Sequence, residues 1–159
     1  MQYEMLRTLS VPIPEPPHSA DANTAVTMHL GREEITDEDD RCDRCGQCQQ
    51  REKNTEVLTW PRLLVLHFKR LGAWDRQRNE PRAIDTHVAF ENEFAPRQDI
   101  RYQLRAVIVH TRIGSGGHYT AYVRNFEGSW FYCDDACAPV LVPESQVFVA
   151  KAYMLFYER

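Results

Sequence analysis

A histidine that directly follows a glycine-rich turn is the first feature of this sequence that could carry chemistry. Residues 114–122 read Gly-Ser-Gly-Gly-His-Tyr-Thr-Ala-Tyr, so His118 opens a β-rich stretch. Glycines such as Gly116 and Gly117 allow a backbone to approach another chain closely. Histidine is the side chain that most often transfers protons near neutral pH. By itself the motif more often marks a histidine at a strand edge that has no role.

Two adjacent acids lie one expected hairpin away from His118. Residues 130–135 read Trp-Phe-Tyr-Cys-Asp-Asp, and a turn at 125–128 would pair them with the strand that His118 opens. A carboxylate of Asp134 or Asp135 would then lie beside the imidazole, where it fixes the tautomer and stabilises the imidazolium. A solvated acidic strand end is the alternative for the acids alone. Taken together, the histidine and the acids suit the base and the orienting acid of a catalytic triad.

A triad also needs a nucleophile, and a cysteine thiol is the natural candidate because a neighbouring imidazolium favours the thiolate. Cys133 directly precedes Asp134, but strand alternation turns its side chain to the opposite face. Cys137 lies just past the acids and is poorly placed. The sequence therefore offers no convincing nucleophile of its own.

The remaining cysteines have the spacing of metal ligands. Cys42-Asp43-Arg44-Cys45 is followed by a glycine, which is the shape of half a zinc knuckle. Two thiolates fill only two of the four tetrahedral positions; Cys48 would add a third ligand, and no fourth is evident. A redox pair and free thiols are the alternatives, although a thioredoxin-like pair needs a βαβ setting that the pattern does not show. Structural zinc at an incomplete site is the resulting prediction.

Short β-rich stretches with turns between them would position these residues. The stretch 55–70 is a continuous apolar run that is typical of a strand buried on both faces. Further strands are expected at the following ranges: 3–13, 102–110, 118–124, 129–133, 140–142 and 152–157.

Two helices and two loops complete the expected elements. Asn23 or Thr24 would cap a short helix that runs to about Leu30, and Pro143 would open a single helical turn. The acidic run 33–40 reads as a loop, and the Arg-rich stretch 71–83 as a mobile surface loop.

The overall composition restricts the classes of function. The chain has 159 residues, enough for one domain with a real core, and 43% of them are hydrophobic. A net charge of −4 argues against binding to nucleic acid or to an anionic membrane. Five unevenly spaced cysteines do not form a disulfide framework, which favours an intracellular compartment, cytoplasmic, nuclear or both. No secretory signal or membrane-spanning apolar run is visible.

Six motifs, in order, resemble the ubiquitin-specific protease family. They are Cys-x-x-Cys at 42–45, Trp-Pro-x-x-Leu-Val-Leu-His-Phe-Lys-Arg at 60–70, Tyr-x-Leu-x-Ala-Val-Ile-Val-His at 102–110, Gly-Gly-His-Tyr-Thr-Ala-Tyr at 116–122, Trp-x-x-x-Asp-Asp at 130–135 and Ala-Tyr-Met-Leu-Phe-Tyr at 152–157. Each motif is modest, but six in the right order are highly specific, and the resemblance runs from about residue 3 to the end of the chain.

The resemblance implies an α+β fold that is mainly antiparallel β. It corresponds to the palm and part of the fingers of a papain-like ubiquitin-specific protease domain, with the thumb missing. Residues 1–60 would form the fingers and their flank, and residues 61–159 the palm with the His/Asp site. The family's N-terminal box of asparagine and cysteine has no counterpart here. We therefore expect either a fragment of a longer enzyme or a short protein that binds without cleaving.

The resemblance also implies an activity: a cysteine-type deubiquitinase that hydrolyses the (iso)peptide bond at the C-terminal glycine of ubiquitin, with no cofactor for catalysis. By position, His118 resembles the base, Asp134 the acid that orients it and Asp135 the family's second acid. Cys42 and Cys45 resemble the second cysteine pair of the zinc-binding fingers. This chain would supply only the histidine and the acid, and alone it would be inactive.

Contacts with substrate are implied in the same way. The loops 71–83 and 111–117 resemble the two loops that gate the cleft for the tail of ubiquitin. The residues expected to contact that tail are Gly116, Gly117, Tyr119 and His110. The implied partners are ubiquitin or ubiquitinated proteins and the missing thumb segment. A catalytically inactive ubiquitin-binding module and a zinc-dependent adaptor are the competing interpretations.

Overall fold

A computed structural model describes residues 8–14, 20–35, 51–77, 79–113 and 116–159 of the chain, and every structural statement below refers to them. Two helices are present, α1 (Ala22–His29) and α2 (Glu144–Phe148). The strands, numbered in chain order, are β1 (Leu9–Pro12), β2 (Arg32–Ile35), β3 (Arg51–Asn54), β4 (Leu63–Lys69), β5 (Leu71–Asp75), β6 (Glu80–Ala83), β7 (Glu93–Arg97), β8 (Ile100–Ile113), β9 (Gly116–Arg124), β10 (Trp130–Cys133), β11 (Val140–Val142) and β12 (Ala152–Glu158).

One eight-stranded sheet organises the chain. Its strand order is β1-β4-β12-β8-β9-β10-β11, and β7 also pairs with β8. The β1–β4 pair is parallel and the other pairs are antiparallel. The last strand, β12, therefore lies between β4 and β8. Two separate two-stranded sheets, β2–β3 and the hairpin β5–β6, lie outside the eight-stranded sheet.

The core covers one face of the sheet. Alternate residues of its central strands, such as Leu66, Leu155 and Val107, are fully buried there. Helix α1 contributes Ala25 and Val26 to the same cluster. Asp21 caps this helix, because its Oδ1 atom accepts a hydrogen bond from the backbone N–H of the third helical residue at 2.8 Å.

The opposite face, called the outer face below, carries an apolar row that is only partly covered within the described residues. Register places six side chains side by side across six strands: Val65, Phe156, Ala106, Val123, Phe131 and Leu141. Val65 is 9% exposed, whereas Val123 is 41% and Leu141 is 65% exposed; Phe131, between the last two, is partly buried.

Arg70 fixes the neck of the β5–β6 hairpin to the start of β12. Its Nε and Nη2 atoms donate to the carbonyl oxygen of Ala152 at 2.9 and 2.7 Å. Its Nη1 atom donates to the carbonyl oxygens of Ile84 at 3.1 Å and Thr86 at 2.8 Å. The Ile84 N–H in turn donates to the Arg70 carbonyl at 2.8 Å. One side chain thus joins three backbone segments.

The second half follows the sequence-based expectation closely. The hairpin with its turn at 125–128 is present as β9 and β10, and the expected short strand, helical turn and last strand are β11, α2 and β12. The mainly antiparallel α+β fold class is confirmed.

Several local expectations were wrong. Residues 71–83 form the β5–β6 hairpin instead of an irregular loop, and part of the acidic run is strand β2. Cross-strand ion pairs support β2 and β3: Arg32 with Glu52 at 3.6 Å and Lys53 with Glu33 at 3.7 Å. The rest of the acidic run lies outside the described residues.

The ends of two other elements also differ from expectation. The cap of α1 is Asp21, not Asn23 or Thr24, because the helix starts earlier. Residues 57–62 were expected to be part of a strand, but they are not. Pro61 lacks the N–H that a strand would need, and the preceding Trp60 is buried against a tyrosine of β8.

In the described ranges the longest helix, α1, has eight residues, and neither helix could cross a membrane.

Candidate active site

His118 and Asp134 are brought together by the register of three strands. His118 lies near the start of β9, where it pairs with Thr111 of β8. On the other side, Cys133 of β10 pairs with Ala121 of β9. Asp134, the next residue, therefore shares a face with His118, one diagonal step away. The Nε2 atom of His118 lies 2.6 Å from Oδ1 of Asp134.

Asp135 approaches the other ring nitrogen. Its Oδ2 atom lies 3.9 Å from Nδ1 of His118, and its side chain is 79% exposed, against 36% for His118 and 37% for Asp134. Asp135 has a φ of 46°, a left-handed conformation that aspartate tolerates better than most residues. This turn lets two consecutive acids face the same imidazole.

The geometry assigns different roles to the two ring nitrogens. A carboxylate can only accept, so the short contact means that Nε2 carries a hydrogen and donates to Asp134. In the neutral ring, Nδ1 then has the free lone pair. The arrangement can take a proton at Nδ1 and stabilise the imidazolium that results.

The same three side chains could also hold a metal ion. One ligand atom from each of His118, Asp134 and Asp135 lies within 4.8 Å of the other two. A metal at Nε2 would have to displace the hydrogen bond to Asp134, and exposed acidic groups often occur without an ion. The hydrogen-bonded pair therefore describes the site better than a metal centre does.

No cysteine in the described part of the chain joins this cluster. Cys133 and Cys137 are both free, but neither belongs to the group formed by His118 and the two acids. Cys133 pairs with Ala121, so it lies on the face opposite His118, as the sequence indicated. Cys42, Cys45 and Cys48, with the predicted zinc site, lie outside the described residues.

The residues expected to contact substrate gather on the outer face. His110 pairs with Tyr119, while Thr111 pairs with His118, so the two histidines project from opposite faces of the β8–β9 pair. The His110 and Tyr119 rings stack, with centroids 4.4 Å apart and an interplanar angle of 29°. Gly117 lies beside them, and Gly116 pairs with Ile113 at the end of the hairpin.

Sequence reasoning missed two members of this ring cluster. Tyr153 lies 5.5 Å from the His110 ring and 5.8 Å from Tyr119, and His67 meets Tyr153 edge-on at 4.7 Å. The Nδ1 atom of His67 also hydrogen-bonds the Ser10 hydroxyl at 3.0 Å. An irregularity in the register of β12 next to Tyr153 adds one residue there, and simple alternation could not have placed that ring.

Burial shifts the titration of both added rings. Desolvation lowers the pKa of His67, and the charge of Lys69 lowers it further. Desolvation raises the pKa of Tyr153, and Tyr119 adds to that shift. Burial thus favours the uncharged forms of His67 and Tyr153.

A histidine held by an aspartate at the ends of paired strands is an arrangement that can supply the base and the orienting acid of a nucleophilic hydrolase. The sequence profile of the family described as "Ubiquitin carboxyl-terminal hydrolase" matches residues 28–157. The chain therefore belongs to this family, among the ubiquitin-specific proteases, in agreement with the motifs.

Individual relatives agree with this placement. Human "Ubiquitin carboxyl-terminal hydrolase 3" is 36% identical over 129 residues, which cover 73% of this chain and 24% of that protein. "Ubiquitin carboxyl-terminal hydrolase 4" of Vanderwaltozyma polyspora is 30% identical over 181 residues, covering 99% of this chain and 20% of that protein. The chain thus spans a quarter or less of the length of these relatives.

Solved structures share the fold. The matched chain of a SAGA Ubp8/Sgf11/Sus1/Sgf73 DUB module bound to ubiquitin aldehyde has a TM-score of 0.76 at 22% identity, covering 95% of this chain and 35% of that chain. A second structure, the Ubp8-Sgf11-Sgf73-Sus1 SAGA DUB module, has a TM-score of 0.73 at 21% identity, covering 96% and 33%. The fold is therefore that of part of a ubiquitin-specific protease domain.

Proposed function

We propose that this chain supplies the general base and its orienting acid to a cysteine-type deubiquitinase. In this reaction Nδ1 of His118 takes the proton of a thiol, and the thiolate attacks the carbonyl carbon of the C-terminal glycine of ubiquitin. The imidazolium then protonates the departing amine, and water hydrolyses the thioester. Asp134 holds the ring through Nε2, and Asp135 adds negative charge near the imidazolium.

The 2.6 Å contact between His118 and Asp134 carries this proposal. This contact leaves Nδ1 of His118 as the proton acceptor. The strands that carry the pair lie within the segment that matches the family of ubiquitin hydrolases. The related fold bound to ubiquitin aldehyde supports ubiquitin as the ligand.

The nucleophilic thiol comes, in this proposal, from a segment outside the described residues. Cys133 faces away from His118, and Cys137 is exposed and outside the cluster. The tail of ubiquitin would pass Tyr119 and His110 and would have to cross the β8–β9 turn to reach His118, because the two groups lie on opposite faces. Gly116, which carries no side chain, would leave room for the backbone of the tail at the end of this hairpin.

A catalytically inactive ubiquitin-binding module is the second candidate. The observation in its favour is that no described cysteine joins the cluster of His118 and the two acids. We also propose structural zinc at Cys42 and Cys45, catalysis without a cofactor, and a cytoplasmic or nuclear location.

A chimera tests the catalytic role. Residues 28–157 of this chain would replace the matching segment of human ubiquitin carboxyl-terminal hydrolase 3, and cleavage of a ubiquitin conjugate would be measured. We expect an active chimera that loses at least about 10²-fold in kcat on His118→Ala. His87→Gln is the matched control, because His87 is exposed and contacts the Phe148 carbonyl, away from the cluster.

Labelling and ubiquitin binding of the 159-residue chain test the assignment of the nucleophile, and the chimera separates the two candidates. With ubiquitin that carries a C-terminal electrophile, we expect no covalent labelling of this chain, but a saturable shift when it is titrated with ubiquitin. A folded chimera that binds ubiquitin but does not cleave it would favour the binding module. Labelling of the isolated chain at Cys133 or Cys137 would overturn the assignment of the nucleophile.

A further inference from the structure

Gly117, the residue directly before His118, lies under the ring of His110. A Cβ atom built onto Gly117 would lie 2.0 Å from Nε2 of His110 and 2.9 Å from its Cε1. Real Cβ atoms essentially never approach other atoms so closely. The imidazole of His110 therefore occupies the space in which any other residue at position 117 would place its side chain.

The His110 ring cannot easily move aside. It stacks on Tyr119 at 4.4 Å and is tilted against Tyr153 at 5.5 Å. Tyr153 in turn is braced by His67 at 4.7 Å. Movement of the ring to admit a Cβ would break this stack, so the cost falls on the whole cluster and not on one flexible side chain.

His110 thus contacts both chain neighbours of His118 from the outer face. It covers Gly117 on one side of the catalytic candidate and stacks on Tyr119 on the other. Across the same two strands, His118 projects from the other face toward Asp134. The direction of a side chain on a strand follows the local backbone, so whatever fixes residues 117 and 119 also fixes the imidazole between them.

We propose that His110 is a positioning residue that clamps the backbone on both sides of His118, and that Gly117 is glycine because this clamp requires it. The clamp works through the shape of a planar ring and needs neither the charge of His110 nor contact with substrate. It therefore adds a second role for a residue so far considered only as a contact for substrate, and it rests on the proposed role of His118 as the base.

The first test reads the geometry of His118 without any activity. Proton–nitrogen correlations of the imidazoles in the 159-residue chain report which nitrogen of His118 carries the hydrogen. We expect the unsubstituted chain and His110→Phe to show His118 held with its hydrogen on Nε2. His110→Ala should lose this single tautomer, although the chain remains folded.

The second test is a double-mutant cycle between His110 and Gly117. In the unsubstituted chain, Gly117→Ala should lower Tm by about 3–10 °C, the effect of a forced steric overlap. In the His110→Ala background the same change should cost little, because the space is open. His110→Leu, which fills part of that space, takes the place of His110→Ala if the latter does not fold.

Two results would overturn the proposal: additive effects of His110→Ala and Gly117→Ala, or His110→Phe behaving like His110→Ala in the spectra. In the active chimera, the kcat of His110→Ala should be roughly 10- to 100-fold below that of His110→Phe. Both variants remove the imidazole from the path of the ubiquitin tail, so the difference between them reports the clamp. If the double-mutant cycle shows coupling between His110 and Gly117 but the chimera hydrolyses no ubiquitin conjugate, the proposed function is wrong and the proposed clamp still holds.

Discussion

Asp134 Oδ1 lies 2.6 Å from Nε2 of His118, so one nitrogen of the candidate base is engaged before any substrate arrives. The side chains are only partly buried, at 36% and 37% exposure, and water reaches the pair. Its contribution to folding stability is therefore small, and its value lies in fixing the ring and its tautomer. This separation of roles makes the two acids distinguishable by mutation.

Asp134 should matter more to turnover than Asp135. In an active chimera, we expect Asp134→Ala to lower kcat roughly 10²–10⁴-fold, because the ring loses its tautomer and orientation. Asp134→Asn should be milder, since an amide oxygen can still accept from Nε2, and Asp135→Ala milder again at its 3.9 Å distance. Steady-state kinetics with a ubiquitin substrate give the order; the reverse ranking of the two alanine variants would exchange their roles.

The backbone of Asp135 predicts a stability difference that does not depend on its charge. Its φ of 46° suits glycine and penalises β-branched residues. Both variants remove the same carboxylate. The free energy of unfolding should therefore be about 1–3 kcal/mol lower for Asp135→Val than for Asp135→Gly. Denaturant unfolding of the 159-residue chain measures this difference, and equal midpoints would contradict the left-handed conformation.

Arg70 should prove far more sensitive than an exposed arginine. Arg70 donates from three nitrogens of its planar guanidinium, whereas the donors of a lysine all lie on one nitrogen. We therefore expect Arg70→Lys to lower the free energy of unfolding by about 2–3 kcal/mol and to speed exchange of the Ile84 amide. Arg62→Lys is the matched control. Arg62 forms an ion pair with Glu158 at 3.2 Å, but its side chain is 82% exposed. Arg62→Lys should therefore change the free energy of unfolding by no more than about 0.5 kcal/mol. Similar losses at both positions would show that Arg70 does not anchor the hairpin.

Two histidines predict a loss of stability in mild acid. Burial lowers the pKa of His29 and of His67 below the ordinary value, with Lys69 contributing to both shifts. The unfolded chain then binds more protons than the folded one between the lowered pKa and 6.5. Stability from these groups is complete above that upper value and declines as the pH falls through the window.

Unfolding at a series of pH values from about 7.5 to 5 tests this direction. His67→Phe keeps an aromatic ring against Tyr153 and removes one titrating group, so the decline in unfolding free energy with acid should become shallower. If His67→Phe leaves the dependence of the unfolding free energy on pH unchanged, groups other than His67 cause the loss of stability.

The order of motifs was enough to predict the family, the antiparallel fold and the pairing of His118 with Asp134. The hairpin β9–β10 is local, with a four-residue turn at 125–128, so alternation along its two strands placed both side chains on one face. The face of Cys133 followed from the same rule.

Contacts between distant segments were harder to predict. The β5–β6 hairpin depends on Arg70 reaching Ala152, a residue 82 positions later, and the polar composition of 71–83 gave no sign of it. The ring cluster could not be predicted in full for a similar reason. Its members come from β4, β8, β9 and β12, and an irregular register in β12 sets the position of Tyr153.

The amino-acid sequence by itself determined which side chains are available and, through the two-residue period of strands, which neighbours along one hairpin share a face. Only the tertiary structure decided that the ring of His110 fills the space above Gly117 and that Asp135 turns back toward His118. Those relationships depend on strand order, on one irregular strand and on a left-handed residue. They arise from the packing of a ring across neighbouring strands and from the backbone conformation of one residue, neither of which follows from the two-residue period of a strand.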